Sequence, residues 1–352
     1  MKLFSPLRLR NLELKNRLVV SPMCEYSAKD GHPNTWHLVH LGSRAVGGAA
    51  LVMTEATGVQ AVGRISPEDT GIYLDSHVDS WRPIVDFIHA QGSVAGIQLA
   101  HAGRKGSTAA PWNGRKAVAV QDGGWVPVGP GPVAFADDYP APRELGLAEI
   151  NQIVQDFELA ARRALRAGFQ VVEVHAAHGY LLHEFYSPLS NARTDEYGGS
   201  FDNRIRLLLR VVAAVRVVWP SILPVFVRIS ASDWKEGGWD LAQSVELCRK
   251  LKDAGADLVD VSSGGNVGGV AIPVGPGYQV EFAATIRREA KIATGAVGMI
   301  TDAAQAETIV GSGQADAVFL ARELLRDPYW PRRAAEKLGV KIKPPMQYER
   351  AW

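Results

Sequence analysis

The amino-acid sequence predicts an α/β fold in which eight parallel strands alternate with helices and close into a (β/α)8 TIM barrel. Eight short runs rich in valine, isoleucine and leucine lack the polar alternation of half-exposed strands, which is typical of strands buried on both faces. Segments of helical period lie between these runs, and a polar residue ends nearly every one of them. The predicted strands are residues 18–21, 50–54, 94–99, 171–175, 225–229, 258–262, 292–297 and 317–320.

The segments around these strands fit the same barrel when they are taken in chain order. Residues 7–17 alternate apolar and polar side chains around Asn11, which predicts a β-hairpin ahead of the first barrel strand. Residues 147–167 predict a helix that ends at Gly168, and residues 241–254 predict another. An open doubly wound sheet is the competing architecture, but no Gly-x-Gly-x-x-Gly follows the first strand.

Two segments interrupt the alternation of strands and helices. Residues 106–145, after the third strand, are rich in glycine, proline and aromatic residues, and a loop of this length predicts an active-site lid. The tail at residues 341–352 ends in aromatic and arginine side chains, which indicates docking on the barrel or on a neighbouring subunit. Residues 1–352 are expected to form a single barrel domain, because barrels commonly reach this length.

Composition excludes several classes of partner. The chain has 38 basic and 37 acidic residues and a net charge of +1, so electrostatics favour neither nucleic acid nor an anionic membrane. No apolar run approaches the length of a membrane span, and the N-terminus lacks the apolar segment of a signal peptide. Only Cys24 and Cys248 are present, so no disulfide framework is possible and a reduced, cytoplasmic protein is expected.

The fourth predicted strand carries the strongest functional signal. It ends at His175, and His178 and Tyr180 follow in the turn. Two imidazoles and a phenol at the carboxyl end of a strand can hydrogen-bond an electron-rich substrate atom and deliver a proton. The alternative is that His178 satisfies a loop and Tyr180 packs.

Two other chemistries compete with this interpretation. A metal site would need several converging ligands, and no third ligand accompanies His175 and His178, so no metal is expected. A hydrolase would need a nucleophile with a base, and no motif links Cys24 to a histidine. Spacing alone leaves Cys24 open between a functional thiol and a small packing residue.

The remaining strand ends point to a phosphorylated, ring-shaped ligand. Gly298 and Arg322 follow the last two strands, where barrels commonly bind phosphate through backbone N–H groups and a cation. Gln98 and Arg228 lie on interior strands and would suit the amide and carbonyl edge of a flat heterocycle. A buried arginine needs a partner, and an anionic or electron-accepting ring would supply one.

Several motifs in order make the chain similar to a known family. It resembles the Old Yellow Enzyme family of FMN-dependent ene reductases, and within it the bacterial thermophilic-like subclass. The resemblance runs through nearly the whole length. The motifs are KNRLVVSPMCEY (15–26), QLAHAGRK (98–105), HAAHGYLLHEF (175–185), SNARTDEYGGS (190–200), GMITD (298–302) and QYERAW (347–352).

This resemblance implies a cofactor, a substrate class and a set of residue roles. FMN would lie across the barrel mouth, and His175 and His178 would hold the carbonyl or nitro oxygen of an activated alkene. Tyr180 would protonate the alkene carbon, and Tyr26 would add a hydrogen bond to the substrate. The implied FMN contacts are Pro22, Met23, Cys24, Ala56, Gln98, Arg228, Gly298 and Arg322.

The resemblance also implies a reaction cycle and an oligomer. NADPH would reduce the flavin, leave, and be replaced by the alkene, whose β-carbon receives the hydride from FMN N5. Arg350 would reach the active site of an adjacent subunit in a homodimer or homotetramer. The chain departs from the family in the carboxylate of Glu25, where relatives often have an apolar residue, and in the long 106–145 loop.

Two rival functions remain distinguishable from the leading one. Dienoyl-CoA reductases share the barrel but carry closely spaced cysteines for an iron–sulfur cluster and further nucleotide-binding domains, which two cysteines and this length do not provide. A non-redox binding protein or hydrolytic barrel could use His175 and His178 without a flavin. The colour of the purified protein separates this last class from the leading one, because only a flavoprotein is yellow.

Overall fold

The computed structural model describes all 352 residues, and eight parallel strands form a closed barrel. The eight predicted strands are therefore confirmed, as is the hairpin, whose two strands pair antiparallel with Leu9 opposite Leu12. The strands are β1 (Leu7–Leu9), β2 (Leu12–Leu14), β3 (Leu18–Val20), β4 (Leu51–Gly58), β5 (Val94–Ala100), β6 (Val128–Gly129), β7 (Arg143–Glu144), β8 (Val171–Ala176), β9 (Val225–Ser230), β10 (Leu258–Ser262), β11 (Ala293–Ala296) and β12 (Ala317–Leu320). Around the barrel the order is β3, β4, β5, β8, β9, β10, β11 and β12, and β12 pairs with β3.

Helices follow most barrel strands. The two helices predicted at residues 147–167 and 241–254 are both present. Gly168 ends α3 in the left-handed conformation, with φ +98°, as a C′ glycine does. Asp240 caps α6 by accepting a hydrogen bond from the Gln243 N–H. The helices are α1 (Thr35–Val46), α2 (Asp75–Ala90), α3 (Leu147–Ala167), α4 (Leu181–Tyr186), α5 (Phe201–Val218), α6 (Leu241–Asp253), α7 (Val280–Ala290), α8 (Ala303–Gly311), α9 (Arg322–Arg326) and α10 (Trp330–Lys337).

Strand β4 runs further than the sequence predicts, through Gly58 rather than to Thr54. Its pairing with β5 shifts register between Met53 and Ala56, which is the signature of a β-bulge. The extra residue at the bulge interrupts the run of apolar residues from which the strand is predicted. The sequence therefore predicts that β4 ends too early. The bulge re-aims the Glu55 side chain, and this matters for the site.

The two ends of the barrel differ in chemistry. The β1–β2 hairpin packs Leu7, Leu9 and Leu14 against apolar side chains at the amino ends of the strands, such as Val94 and Val171. The hairpin therefore plugs this end with hydrocarbon, and burial of that surface stabilises the closed barrel. The polar side chains collect at the carboxyl ends, which leaves this opposite end as the place for a ligand.

The long loop and the tail both have little regular structure. In the 106–145 loop, β6 and β7 form a two-residue parallel pair, and Trp112 lies edge-on against Tyr26 with ring centroids 5.7 Å apart. The tail folds back on its own chain, where Trp352 stacks on Tyr329 at 6.5 Å. None of the helices is both long enough and apolar enough to cross a membrane.

Candidate active site

The centre of the barrel mouth is the cluster that the sequence predicts from the fourth barrel strand. The His175 ring lies 5.4 Å from the His178 ring and 5.1 Å from the Tyr180 ring, measured between centroids. Strand β8 presents His175, and the turn after β8 presents the other two. His178 adopts the left-handed conformation, with φ +60°, and its backbone N–H donates to Ser230 Oγ at 2.9 Å. That contact fixes the turn and keeps the three rings together.

Burial fixes the protonation states of the cluster. Burial and the nearby positive charge of Arg228 hold the pKa values of His175 and His178 well below the ordinary histidine value. Both imidazoles are therefore neutral at pH 7, and each can donate one N–H hydrogen bond. Burial raises the pKa of Tyr180 well above that of a free phenol, so Tyr180 keeps its proton. The cluster offers hydrogen-bond donors and a proton, and its two imidazoles are only weak bases.

One ring nitrogen in the cluster is free and another is engaged. His175 Nδ1 is buried and has no hydrogen-bond partner in the chain. His178 Nε2 lies 2.7 Å from Ser262 Oγ at the end of β10. A buried donor or acceptor without a partner is costly, so the unpaired nitrogen of His175 indicates that a polar ligand atom completes the cluster.

Lys105 braces the turn that carries this cluster. Its ammonium donates to the carbonyl oxygens of His178 and Gly265, at 2.9 and 3.0 Å, and it lies 5.1 Å from the centroid of the Tyr180 ring. Burial lowers the pKa of Lys105 to about 8. Phe135 of the long loop covers the ammonium at 4.4 Å, so the loop contributes to the wall of the mouth.

An apolar patch adjoins the cluster and shares Tyr180 with it. Cys24, Tyr26 and Tyr180 pack against buried side chains that include Ala56 and Ala100. Burial raises the pKa of the Cys24 thiol well above its ordinary value, and the carboxyls of Asp69 and Glu55 raise it further. Cys24 therefore stays a neutral thiol, which argues against the nucleophile interpretation because the thiolate is the reactive form.

A polar layer crosses the barrel interior below the mouth. Gln98 Nε2 donates to Glu173 Oε1 at 2.8 Å, and Arg228 Nε lies 3.0 Å from Asp260 Oδ2. Asp260, the register partner of Arg228 on the next strand, therefore gives the buried guanidinium an ion-pair partner within the chain, and a ligand ring would be a second one. The Nη1 and Nη2 atoms of Arg228 have no hydrogen bond within the chain, and Nε makes none either, although it lies close to Asp260. This leaves the outer edge of the guanidinium available to a ligand.

A cavity of about 220 Å³ lies beside the ends of β11 and β12. Gly298 and Arg322 both line it, as the sequence predicts for a phosphate site. Gly298 has φ +120°, and a Cβ at this position would lie 2.7 Å from Gln279 Nε2 and 2.9 Å from Tyr278 Cε1. Only glycine satisfies both the backbone angle and this space, which brings the backbone close to the cavity.

These features fit the FMN that the sequence resemblance implies. The cavity with Gly298 and Arg322 suits a phosphate group. The free edge of Arg228 suits an electron-accepting ring, and Ser21 Oγ, at the end of β3, is buried with no partner. Pro22 and Met23 follow Ser21 directly in the segment that borders the mouth.

Most of the sequence-predicted residues meet at the mouth, but one does not. Arg350 is exposed in the tail, and within this single chain it has no hydrogen bond to any residue of the mouth. No group of three or more histidine, cysteine, aspartate or glutamate side chains is placed to hold a metal ion. Sequence reasoning assigned no individual role to Glu55, Lys105 or Ser262, although Lys105 follows β5, Ser262 ends β10 and Glu55 directly follows the predicted end of the second barrel strand. His37 on α1 carried no signal at all.

Several known proteins are similar to this chain in sequence. Residues 2–340 match the profile of the NADH:flavin oxidoreductase / NADH oxidase family. The chain is similar to NADPH dehydrogenase of Geobacillus thermodenitrificans, with 51% identity over 99% of this chain and 98% of that protein. It is 47% identical to NADPH dehydrogenase of Bacillus subtilis, over 100% of this chain and 99% of that protein.

Two solved structures are similar as well. Morphinone reductase aligns with a TM-score of 0.81 and 30% identity, over 98% of this chain and 92% of that chain. A complex of 2-naphthoyl-CoA reductase with 2-naphthoyl-CoA aligns with a TM-score of 0.87 and 27% identity. The alignment covers 96% of this chain but only 52% of that one, so this chain spans about half of its length.

Proposed function

Because this chain belongs to the NADH:flavin oxidoreductase / NADH oxidase family, we propose that it reduces the activated C=C bond of α,β-unsaturated carbonyl or nitro compounds with NADPH. It is a member of the Old Yellow Enzyme family and an FMN-dependent oxidoreductase. Its relatives with 51% and 47% sequence identity are NADPH dehydrogenases, which supports NADPH as the reductant. When bound, FMN would supply the redox chemistry by taking a hydride from NADPH and giving one to the alkene.

The observation that carries this proposal is the neutral, donor-rich cluster at the mouth. His175 and His178 each donate one N–H to the substrate oxygen and so stabilise the negative charge that builds on it as the alkene is reduced. Imidazolium would instead risk giving up its proton to that oxygen. Tyr180, which keeps its proton because of burial, delivers it to the α-carbon.

The rest of the mouth holds the cofactor and the substrate. Gly298 and Arg322 would bind the FMN phosphate, while Gln98 and Arg228 would meet the polar edge of the ring system. Pro22, Met23, Cys24 and Ala56 would contact its apolar surface. Tyr26 would hydrogen-bond the substrate, and its edge contact with Trp112 supports a pocket wall built in part by the 106–145 loop.

The decisive test is the colour and the chemistry of the purified protein. We expect a yellow protein that releases FMN on denaturation and oxidises NADPH under anaerobic conditions when 2-cyclohexen-1-one is added. Mass spectrometry should then detect cyclohexanone as the product. A colourless protein that cannot be reconstituted with FMN would refute the proposal, and oxidation of NADPH without alkene reduction would refute its substrate class.

We further propose that the enzyme is a homodimer or homotetramer in which Arg350 reaches the neighbouring active site. The exposure of Arg350 and its lack of a hydrogen bond in the single chain support this, as does the short tail segment that presents it. Light scattering should give a mass of two or four chains, and Arg350→Ala should raise the KM for the alkene. A monomeric, fully active enzyme would contradict it.

A reducing, cytoplasmic location is proposed on the basis of cysteine chemistry. Cys24 and Cys248 are both free thiols. Burial raises the pKa of Cys248 as well, to a value where the thiolate is not populated. Fractionation of producing cells should find the activity in the cytoplasmic fraction, and recovery from the medium would contradict the proposal.

A further inference from the structure

Tyr26 has a backbone conformation that an aromatic residue rarely adopts. It follows β3 in the segment 21–26, and its φ is +47°, in the left-handed region. For a bulky side chain this conformation is strained, and it persists only where the surroundings impose it. The strain occurs at the residue that the proposed function assigns to substrate binding, so something nearby must hold this backbone in place.

The structure assigns that holding role to Glu55, which we infer is a positioning residue for Tyr26. Glu55 is 3% exposed, and its Oε2 accepts the Glu25 backbone N–H at 3.0 Å, while the Tyr26 N–H also faces the carboxyl. The β-bulge of β4 turns Glu55 toward the 21–26 segment. A single buried carboxyl thus lies against the two peptide N–H groups that lead into the strained residue.

His37 of α1 orients Glu55 from the other side. The Asn34 backbone N–H donates to His37 Nδ1 at 3.0 Å, so Nδ1 is the acceptor nitrogen and Nε2 carries the proton. That Nε2–H donates to Glu55 Oε1 at 2.9 Å. Burial lowers the pKa of His37 to about 4, so the neutral tautomer persists at pH 7. The N–H groups that face Glu55 in this set are all donors, which suits the acceptor oxygens of its carboxyl group. Burial raises the pKa of Glu55 to about 8, against the lowering effect of the Glu25 and Tyr26 N–H groups.

The carboxylate of Glu25 adds a second tie between the same segment and α1. Trp36 Nε1 donates to Glu25 Oε2 at 2.9 Å, and His40 Nε2 lies 3.2 Å from Oε1. Glu25 therefore anchors the segment to a helix surface, while Glu55 acts on the peptide groups at the turn. The hypothesis concerns Glu55, because its carboxyl lies against the Glu25 and Tyr26 N–H groups, next to the strained residue.

The consequence for the reaction is specific. Without this carboxyl group, the Tyr26 backbone can relax toward the β region, which turns the phenol away from the pocket. Glu55 touches neither substrate nor cofactor in this scheme, so its effect on ligand affinity must pass through the Tyr26 hydroxyl. Its removal should weaken substrate binding, seen in KM, and leave the reduction of the enzyme by NADPH unaffected.

A double-mutant cycle tests this dependence and rests on the proposed function for the role of Tyr26. The FMN-loaded wild type, Glu55→Gln, Tyr26→Phe and the double variant are titrated with 4-hydroxybenzaldehyde by calorimetry, and the KM for 2-cyclohexen-1-one is measured. Loss of one hydrogen bond predicts about 3- to 10-fold weaker binding in each single variant. The double variant should bind the phenol no more weakly than the single variant with the lower affinity, because both changes remove the same contact.

Glu184→Gln serves as the matched control. Glu184 is another fully buried glutamate that accepts a backbone N–H, from Arg104 at 2.9 Å, and it has no contact with the 21–26 segment. If Glu184 is independent of Tyr26, the fold-loss of affinity in the Glu184→Gln/Tyr26→Phe double variant should equal the product of the two single fold-losses. If Glu55→Gln does not fold, His37→Phe replaces it in the cycle with an expected effect in the same direction.

The outcomes separate the two proposals. If Glu55→Gln leaves affinity unchanged, or if its effect multiplies with that of Tyr26→Phe, Glu55 does not act through Tyr26 and the inference is overturned. If wild-type protein neither binds the phenol nor reduces the enone, the proposed function falls, and the positioning role falls with it. Non-additive losses with intact flavin reduction by NADPH support both.

Discussion

Replacement of Gly298 by alanine probes the proposed phosphate site directly. The backbone of Gly298 has φ +120°, where an L residue is strained, and its new Cβ would lie 2.7 Å from Gln279 Nε2. Gln279 cannot give way freely, because its Nε2 donates to Val297 O at 2.9 Å and its Oε1 accepts from Ser263 Oγ at 2.6 Å. The substitution must therefore either strain the backbone or shift the segment that lines the cavity.

The size of the effect follows from these two routes. A residue held in such a conformation costs about 1–3 kcal/mol. If the strain is retained, this cost appears as lower stability of the apoprotein, and Tm falls by roughly 2 °C for each kcal/mol. If the segment shifts instead, the cost appears in FMN binding as an affinity about 5- to 150-fold lower. The two losses together should account for the full strain.

The assay measures both quantities on the same protein. FMN is titrated into apoprotein and followed by quenching of its fluorescence, while urea unfolding gives the stability of the apoprotein. Gly268→Ala is the matched control, since a Cβ at Gly268 meets no atom within 4 Å and its φ is not in the left-handed region. If Gly298→Ala matches this control in both FMN affinity and stability, the reasoning about the phosphate site is refuted.

Three further predictions test the cluster and its support. His178→Ala should slow alkene reduction about 100-fold or more through loss of one donor to the developing oxyanion, with a much smaller effect on flavin reduction by NADPH; equal losses in stopped-flow measurements of the two half-reactions would remove this role. Tyr180→Phe should slow alkene reduction without loss of FMN, and because burial raises the pKa of Tyr180, the wild-type rate should show no alkaline decline from this group between about pH 7 and pH 9. If Tyr180→Phe reduced the alkene at the wild-type rate, solvent and not Tyr180 would supply the proton. Asp233→Asn should cost about 1–3 kcal/mol in urea unfolding at pH 7, since it weakens the buried 2.9 Å hydrogen bond from neutral His183, whose Nδ1 accepts the Gly179 N–H; a change below about 0.5 kcal/mol would contradict this.

The stability that Asp233 contributes should fall as the solution becomes acidic. Burial acts to raise the pKa of Asp233, but the hydrogen bonds from His183 and Ser187 outweigh it and hold the pKa below its ordinary value. A depressed carboxyl pKa contributes stability above the pKa of the unfolded chain, near 4, and that stability is lost as the pH falls through the folded pKa. The difference between wild type and Asp233→Asn should therefore shrink only in strongly acidic solution.

Local patterns were enough to predict the barrel and the central part of the site. Strands buried on both faces are nearly all apolar, so each could be found from a short window, and the hairpin and α3 carried their own turn and capping signals. His175, His178 and Tyr180 lie within six residues of one strand end, and for this reason the sequence alone places them together. The same reasoning missed the bulge in β4, because an inserted residue interrupts the pattern on which it depends.

The tertiary structure decided which side chains hold the site in place. Asp260 pairs with Arg228, Ser262 meets His178, and Glu55 meets the peptide groups beside Tyr26, in each case across tens of residues. Such partners are chosen by strand register, a bulge and the packing of a helix, none of which leaves a periodic trace in the chain. Protonation follows the same division, since desolvation depends on the surrounding protein and not on neighbours in sequence. The sequence by itself therefore determined which chemistry reaches the barrel mouth, and only the fold determined how those groups are oriented, paired and charged.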